Sequence, residues 1–364
     1  MTQPAATTSR AAARTASVGL IAGTLGAIGL LDGGGGGTWT DVLASFGLSD
    51  STLGPAFATQ SAFVFPVLLF GGIVLSRIGL RLMLVIGLLL LATTSFAMTG
   101  FEGLALFLLL FAIRGTGIAL LDLAGNTMAM QVERETGRHI MGIVHGGFSV
   151  GIIIGSLMAF GIYAVGGGFR LIHGLLGIAL VVLAVAGALG PIPHVESEAT
   201  PQRVSLRAFN SRMVRIAAIG LGLAFGGEVL ISQFVSVLLR TRIEASDATS
   251  VLAVVIYATM MAVGRFGNGP LMNRFDAITL VYVQGAVMAV GGAVIATSTS
   301  VPMTLAGSFI GGIGVAGIVP TILSYAAAHT RTSPGETAGA ALLGGYFGGF
   351  IMPLLAGGLT SVLS

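Results

Sequence analysis

Between Ser17 and Leu363 the chain is a succession of apolar runs, each closed by a few polar or charged residues. The runs are about twenty residues long, the length an α-helix needs to cross the hydrocarbon core of a bilayer. In lipid the backbone has to satisfy its own hydrogen bonds, which leaves helices or a closed barrel. Barrel strands would alternate apolar and polar residues over about ten positions, and these runs do not alternate. Hydrophobic residues make up 54% of the chain and charged ones 9%, too little charge to cover a water-soluble surface. The chain therefore reads as an all-α polytopic membrane protein. Its 57 glycines suit helices that pack backbone to backbone.

Helices are expected at 17–38, 52–76, 82–99, 104–131, 140–164, 170–190, 213–239, 250–269, 277–297, 303–328 and 337–362, eleven spans in all. Residues 1–16 read as a cytoplasmic tail, and the first helix as an uncleaved anchor rather than a signal peptide. Gly33 to Gly37 are expected to unwind its end. The longest hydrophilic stretch, 191–212, divides a bundle at 17–190 from a second at 213–364. All 17 basic residues are Arg. With the N-terminus inside, thirteen of them fall on the cytoplasmic side, three (Arg170, Arg240, Arg242) on the other, and Arg114 lies within a span. The bias places the N-terminus in the cytoplasm and the protein in the cell (inner or plasma) membrane.

Several polar residues interrupt the apolar runs. Asp122 and Asn126, four apart, share one face of the fourth helix. A carboxylate at membrane depth costs a few kcal/mol, about 2.5–3.5 on insertion scales, so it faces a cavity, a partner or a proton path. The alternative is a hydrogen bond to His145 or Ser149 on the fifth helix. Glu228, Ser232 and Ser236 form a polar stripe on the seventh helix. Asp32 ends the first helix, where it either faces a cavity or is solvated beside the glycines. Arg114 must pair or meet water, with Asp32 and Asp122 as partners and a bound anion as the alternative. His145 is either a proton relay or a helix-start residue held by a loop carbonyl. Trp39 is expected to anchor at the membrane interface, and Tyr257, Tyr325 and Tyr346 to pack. Gly151-x-x-x-Gly155, Gly344-x-x-x-Gly348 and Gly345-x-x-x-Gly349 read as close helix contacts.

An internal echo follows the second helix of each half: Gly72-Ile-Val-Leu-Ser76-Arg77-Ile-Gly79-Leu-Arg81 and Gly269-Pro-Leu-Met-Asn273-Arg274. These segments resemble the cytoplasmic signature G-x-L-x-D-R-x-G-x-R of the major facilitator superfamily, with Ser76 and Asn273 in place of its Asp. Arg114-Gly115-x-Gly117 is similar to the family's fourth-helix element. Asp122-x-x-x-Asn126, Val132-Glu133-Arg134, His145-x-x-Phe148-Ser149 and Gly151, with Gly314-x-x-Gly317-Ile-Val-Pro320 and Gly345-Tyr346 ahead of Pro353, resemble the branch of the fucose permease-type sugar/proton symporters. The resemblance implies two pseudo-symmetric six-helix bundles, here with the last helix missing, that rock about a midplane site. It places helices one, four and seven on a central cavity and makes Gly72, Arg77, Gly79, Arg81, Gly269 and Arg274 gating loops.

The expected function is secondary transport of a small, sugar-like solute by alternating access, coupled to protons. Asp122, Asn126, Glu228, Asp32, Arg114 and His145 are the coupling or substrate candidates. Efflux of amphipathic compounds and a non-transporting scaffold or sensor are the alternatives. Cys and Lys are absent, and no phosphate loop, zinc-spaced cluster or Ser/His/Asp arrangement occurs, so neither enzyme activity nor cofactor is expected. No basic run interleaved with aromatics points to nucleic acid. The expected partners are solute, protons and lipid, with the protein a monomer.

Overall fold

The computed structural model describes residues 4–363 apart from 101, 137–140, 191–205, 273 and 331–333. The chain order is α1 (Pro4–Gly36), α2 (Trp39–Ser45), α3 (Leu53–Ala97), α4 (Leu104–Thr136), α5 (Met141–Ala164), α6 (Phe169–Leu189), α7 (Arg212–Thr241), α8 (Asp247–Met272), α9 (Ala277–Ala296), α10 (Val301–Val315), α11 (Ile318–Ala328) and α12 (Pro334–Leu363). Among the described residues, ten segments are long and apolar enough to cross a membrane. The charged hairpin around Arg138 and His139 and most of the 191–212 linker lie outside the described residues.

Four boundaries differ from expectation, each for a local reason. First, α1 starts at Pro4 rather than residue 17. Proline suits a first helical position, and the Ala-rich run behind it has high helix propensity. Second, the glycines do not unwind α1, which stays helical to Gly36. Packing overrides propensity here: a Cβ at Gly33 would lie 2.1 Å from the Ile152 carbonyl oxygen of α5, so only glycine admits the approach. The chain breaks afterwards, at Gly37 and Thr38, and restarts as α2.

Third, the second and third expected helices form one continuous element with a single sharp reversal. Gly79, at φ 73° and ψ 164°, occupies a left-handed conformation that a side chain would strain. The signature's glycine thus performs the turn by itself. Fourth, the expected helix at 303–328 is two helices, interrupted at Ala316 and Gly317. Asn268 and Gln284 fill the space beside the break, where a Cβ on Gly317 would lie 2.1 Å from the Asn268 side-chain oxygen.

Two hydrophobic cores hold the molecule, one built mainly on α1–α6 and the other on α7–α12. The same glycine seams recur in both. α1 meets α5 where Cβ atoms on Gly151 and Gly155 would lie 2.1 and 2.2 Å from the carbonyl oxygens of Gly26 and Leu30. α7 meets α12 the same way, at Gly348 on Gly222 and Gly344 on Ala218. The third pair of glycines behaves differently: Gly345 faces the Phe225 ring and Gly349 the Ser61 hydroxyl. A second seam joins Gly87 to Gly117 (α3 to α4) and Gly291 to Gly307 and Gly311 (α9 to α10). This repetition is the pseudo-symmetry of two matching bundles.

Overpacking such a seam costs about 1–3 kcal/mol per added group. Gly151→Ala should therefore lower the melting temperature in detergent, and Gly151→Leu should abolish monodisperse protein on size exclusion. Gly161→Ala, on the same helix with open space around it, should leave both unchanged.

Candidate functional site

Arg114 is the most deeply placed charge, 2% exposed on α4. Its guanidinium donates to an Asp32 oxygen on α1 and to the Gln60 side-chain oxygen on α3. The rings of Trp39, Phe57 and Phe111 surround it with centroids 5.8–5.9 Å from the guanidinium carbon. Cation–π attraction supplements the ion pair in this dry setting. Of the two partners open to Arg114, the structure selects Asp32. Trp39 is buried, not an interface anchor, and its indole N–H donates 2.9 Å to Gln233 Oε1 on α7.

Asp122 makes its contacts elsewhere. One carboxylate oxygen accepts from Asn126 Nδ2 at 2.9 Å, as the i, i+4 spacing allows. The other accepts from the Tyr346 hydroxyl at 2.9 Å, on α12 in the opposite bundle. The partner on the fifth helix expected as the alternative is not used. Asp122 and Asn126 are both partly exposed despite their mid-helix positions, and the Tyr346 contact places Asp122 where the two bundles meet.

A second ion pair lies in the other bundle. Arg265 on α8 approaches Glu228 on α7 at 4.0 Å, both side chains near 15% exposed. Arg265 also donates 2.6 Å to Ser149 Oγ and 3.3 Å to the His145 carbonyl on α5, and lies 5.6 Å above the Phe148 ring. His145 thus takes part through its backbone. Arg265 was counted above with the cytoplasmic loops, yet it sits inside a spanning segment, Asp247–Asn268.

At the end of the bundles that holds α2, more groups cross between the halves. Ser236 donates to the Gly36 carbonyl, which leaves the polar stripe of α7 facing the end of α1. Arg240 pairs with Asp41 at 2.5 Å and with Asp247 at 3.0 Å, and Tyr163 donates to Asp41. A Cβ at Gly54 would lie 2.3 Å from the Pro353 carbonyl oxygen, so α3 and α12 touch backbone to backbone here. This end is closed.

The gating-loop residues divide. Gly79 makes the reversal already described. Arg81 donates to the carbonyls of Gly187, Ala188 and Gly190, capping the C-terminus of α6, where a cation suits the helix dipole. That is a structural task within one bundle. Arg77 and Arg274 are exposed, and the surroundings of Gly72, Ser76, Gly269 and Asn273 are outside the described set. Among the described residues no group of three or more His, Cys, Asp or Glu could hold a metal ion.

Residues 19–353 match the Major Facilitator Superfamily. The chain belongs to that superfamily. This major facilitator protein is 25% identical over 345 residues to a Helicobacter pylori protein named "Putative glucose/galactose transporter", covering 86% of this chain and 82% of that one. It is 24% identical over 245 residues to "Uncharacterized transporter y4wD" of Sinorhizobium fredii, covering 65% of this chain and just 63% of that protein's length. In three dimensions it is similar to the nucleoside transporter NupG, with TM-score 0.75, 14% identity and coverage of 94% and 92%. It is also similar to the E. coli fucose:proton symporter FucP, with TM-score 0.60, 16% identity and coverage of 95% and 93%. The fold is the major facilitator fold, and the protein is a multi-pass membrane protein of a transporter family.

Sequence reading missed Gln60, Tyr346, Arg265 and the Asp41–Tyr163–Arg240 cluster. Arg265 carried a signal, because it falls a full turn inside an expected helix. Removing one member of a buried ion pair costs about 3–5 kcal/mol, since the other is left uncompensated. Arg114→Gln should thus destabilise the protein by about that amount in thermal unfolding. Adding Asp32→Asn should recover part of the loss.

Proposed function

We propose that this transporter couples the movement of a small polyhydroxylated solute, a sugar or sugar-bearing compound, to protons by alternating access. The observation that carries the reading is the Asp122 carboxylate, partly exposed within a spanning helix and hydrogen-bonded across the two bundles by Tyr346. A carboxylate can accept a proton, and once protonated it is a weaker acceptor for Tyr346. Proton binding and the contact between the bundles therefore compete at one atom pair. The solute class draws support from polar side chains that are partly exposed within the spanning helices, among them Asp32, Gln60, Asn126 and Glu228. These supply the donors and acceptors that hydroxyl groups require. Similar proteins whose names include glucose, galactose, fucose or nucleoside transport point the same way.

In this proposal Asp122 is the proton carrier, and the carboxylates of the two Arg–carboxylate pairs, Asp32 and Glu228, bind and orient solute. Asp122→Asn keeps size and hydrogen-bonding capacity but does not titrate. In proteoliposomes, counterflow of radiolabelled glucose, galactose, fucose and uridine should identify a solute that wild type exchanges. The variant should retain that exchange and lose solute-driven proton uptake. Unaltered proton uptake in the variant would dismiss Asp122 as the carrier.

The proposal also puts the N-terminus in the cytoplasm, so the closed end with α2 faces outward. Cysteine is absent from the natural chain, which makes single reporters clean. Thr299→Cys, exposed between α9 and α10, should react with a membrane-impermeant maleimide in intact cells. Arg274→Cys, at the opposite end, should react only after lysis. The reverse pattern would refute the orientation.

A further inference from the structure

Beneath α2 a small cavity of about 10 Å³ lies inside the first bundle, lined by Leu31, Trp39, Ser95, Met98, Arg114 and His173 among others. Each of these six side chains is at most 3% exposed. A void of roughly 10–15 Å³ admits one water sphere, and it stays dry unless several polar groups converge on it.

The hydrogen-bond ledger of its walls is specific. The Trp39 N–H goes to Gln233 and the Thr94 hydroxyl to the Leu91 carbonyl at 2.8 Å. The Thr38 hydroxyl donates to the Gly35 carbonyl at 2.8 Å, so toward His173 Nε2, 2.9 Å away, it acts as acceptor. Nε2 therefore carries the ring proton, and Nδ1 presents a lone pair. Nδ1 is buried without a partner among the described residues, and so is Ser95 Oγ. The two are thus beyond hydrogen-bond reach of each other. Arg114 completes the wall and has more N–H donors than Asp32 and Gln60 use. An acceptor, a hydroxyl and a cationic donor around a space for one small molecule define the ligand.

We propose that one water molecule is fixed in this cavity, donating to His173 Nδ1, bonded to Ser95 Oγ and accepting from Arg114. The site is independent of the proton role of Asp122. The water tethers the guanidinium and links it, through His173 and Thr38, to the turn between α1 and α2. Arg114 is then oriented by three groups of its own bundle, Asp32, Gln60 and the water.

A crystallographic or cryo-EM map that resolves ordered water should show a peak within hydrogen-bond reach of His173 Nδ1 and Ser95 Oγ. A map with clear side chains and nothing between them overturns the proposal. Histidine ¹⁵N resonances should report a neutral Nε2–H tautomer at His173, and an Nδ1–H tautomer would equally end it. Substitution adds a test of sign. In a dry void Ser95→Val should melt no lower than Ser95→Ala. With water present, valine displaces it and strands Nδ1, so the valine variant should melt several degrees lower. Repeating the pair in a His173→Leu background separates displacement from crowding. Loss of the deficit there supports the water, and a deficit that persists there overturns it.

Discussion

A guanidinium enclosed at membrane depth is tolerable only if every face of it is answered. Around Arg114 the answers come from four helices, its own included. Asp32 closes the charge from α1, Gln60 takes a second N–H from α3, and three aromatic rings shield the faces. The cost of removing ions from water makes this set interdependent, because loss of one member leaves a penalty of several kcal/mol on the rest. The relative placement of α1, α3 and α4 is thereby fixed at the depth where solute has to bind. Trp39 carries the constraint further. It stacks beside Arg114 and donates to Gln233, so the position of α7 in the other bundle is referred to the same cation.

Lipid offers helices no hydrophobic reason to associate, so close packing has to supply the cohesion within each bundle. Glycine provides it by removing the side chain at the contact. The α1–α5 and α7–α12 seams bring backbones so near that a single methyl group would overlap a carbonyl oxygen. Many small dispersion contacts then accumulate over a long interface. Such seams are rigid because they have no rotamers to rearrange. Each bundle therefore resists internal rearrangement, and under the proposed alternating access change would be confined to the surface between bundles.

The seams were legible before any coordinates, since paired glycines four apart name a helix contact directly. So were ten of the eleven expected spans, all but the first, because bilayer thickness dictates their length. Ion-pair partners were less so: Asp32 and Arg114 are 82 residues apart, and nothing local distinguishes Asp32 from Asp122 as the partner. Tyr346 was read as packing because a phenol inside an apolar helix looks the same whether its hydroxyl is used or idle. The persistence of α1 through its glycines ran against propensity, and only the opposing helix explains it. Gly79 shows the converse. A motif read as a loop proved to be one residue, because a glycine at positive φ turns the chain without needing neighbours.

Alternating access requires contacts between bundles that are weaker than those within them, and strong enough to bias one state. Moving an equilibrium from 1:99 to 99:1 takes about 5.5 kcal/mol. A hydrogen bond to a charged group is worth about 1.5–3 kcal/mol, so the Tyr346–Asp122 bond supplies a sizeable part of that and no more. The end of the molecule with α2 is pinned by several such contacts at once: Trp39 to Gln233, Ser236 to Gly36, and Arg240 to Asp41. Breaking them singly would shift little; released together they exceed what one proton can provide. If Asp122 carries the proton as proposed, that proton cannot open this end alone. Under the same proposal solute contributes at Asp32, the partner of Arg114, whose ring neighbour Trp39 is itself one of the pins. The proposed coupling then reduces to arithmetic: neither ligand would move the bundles by itself, and the two together would.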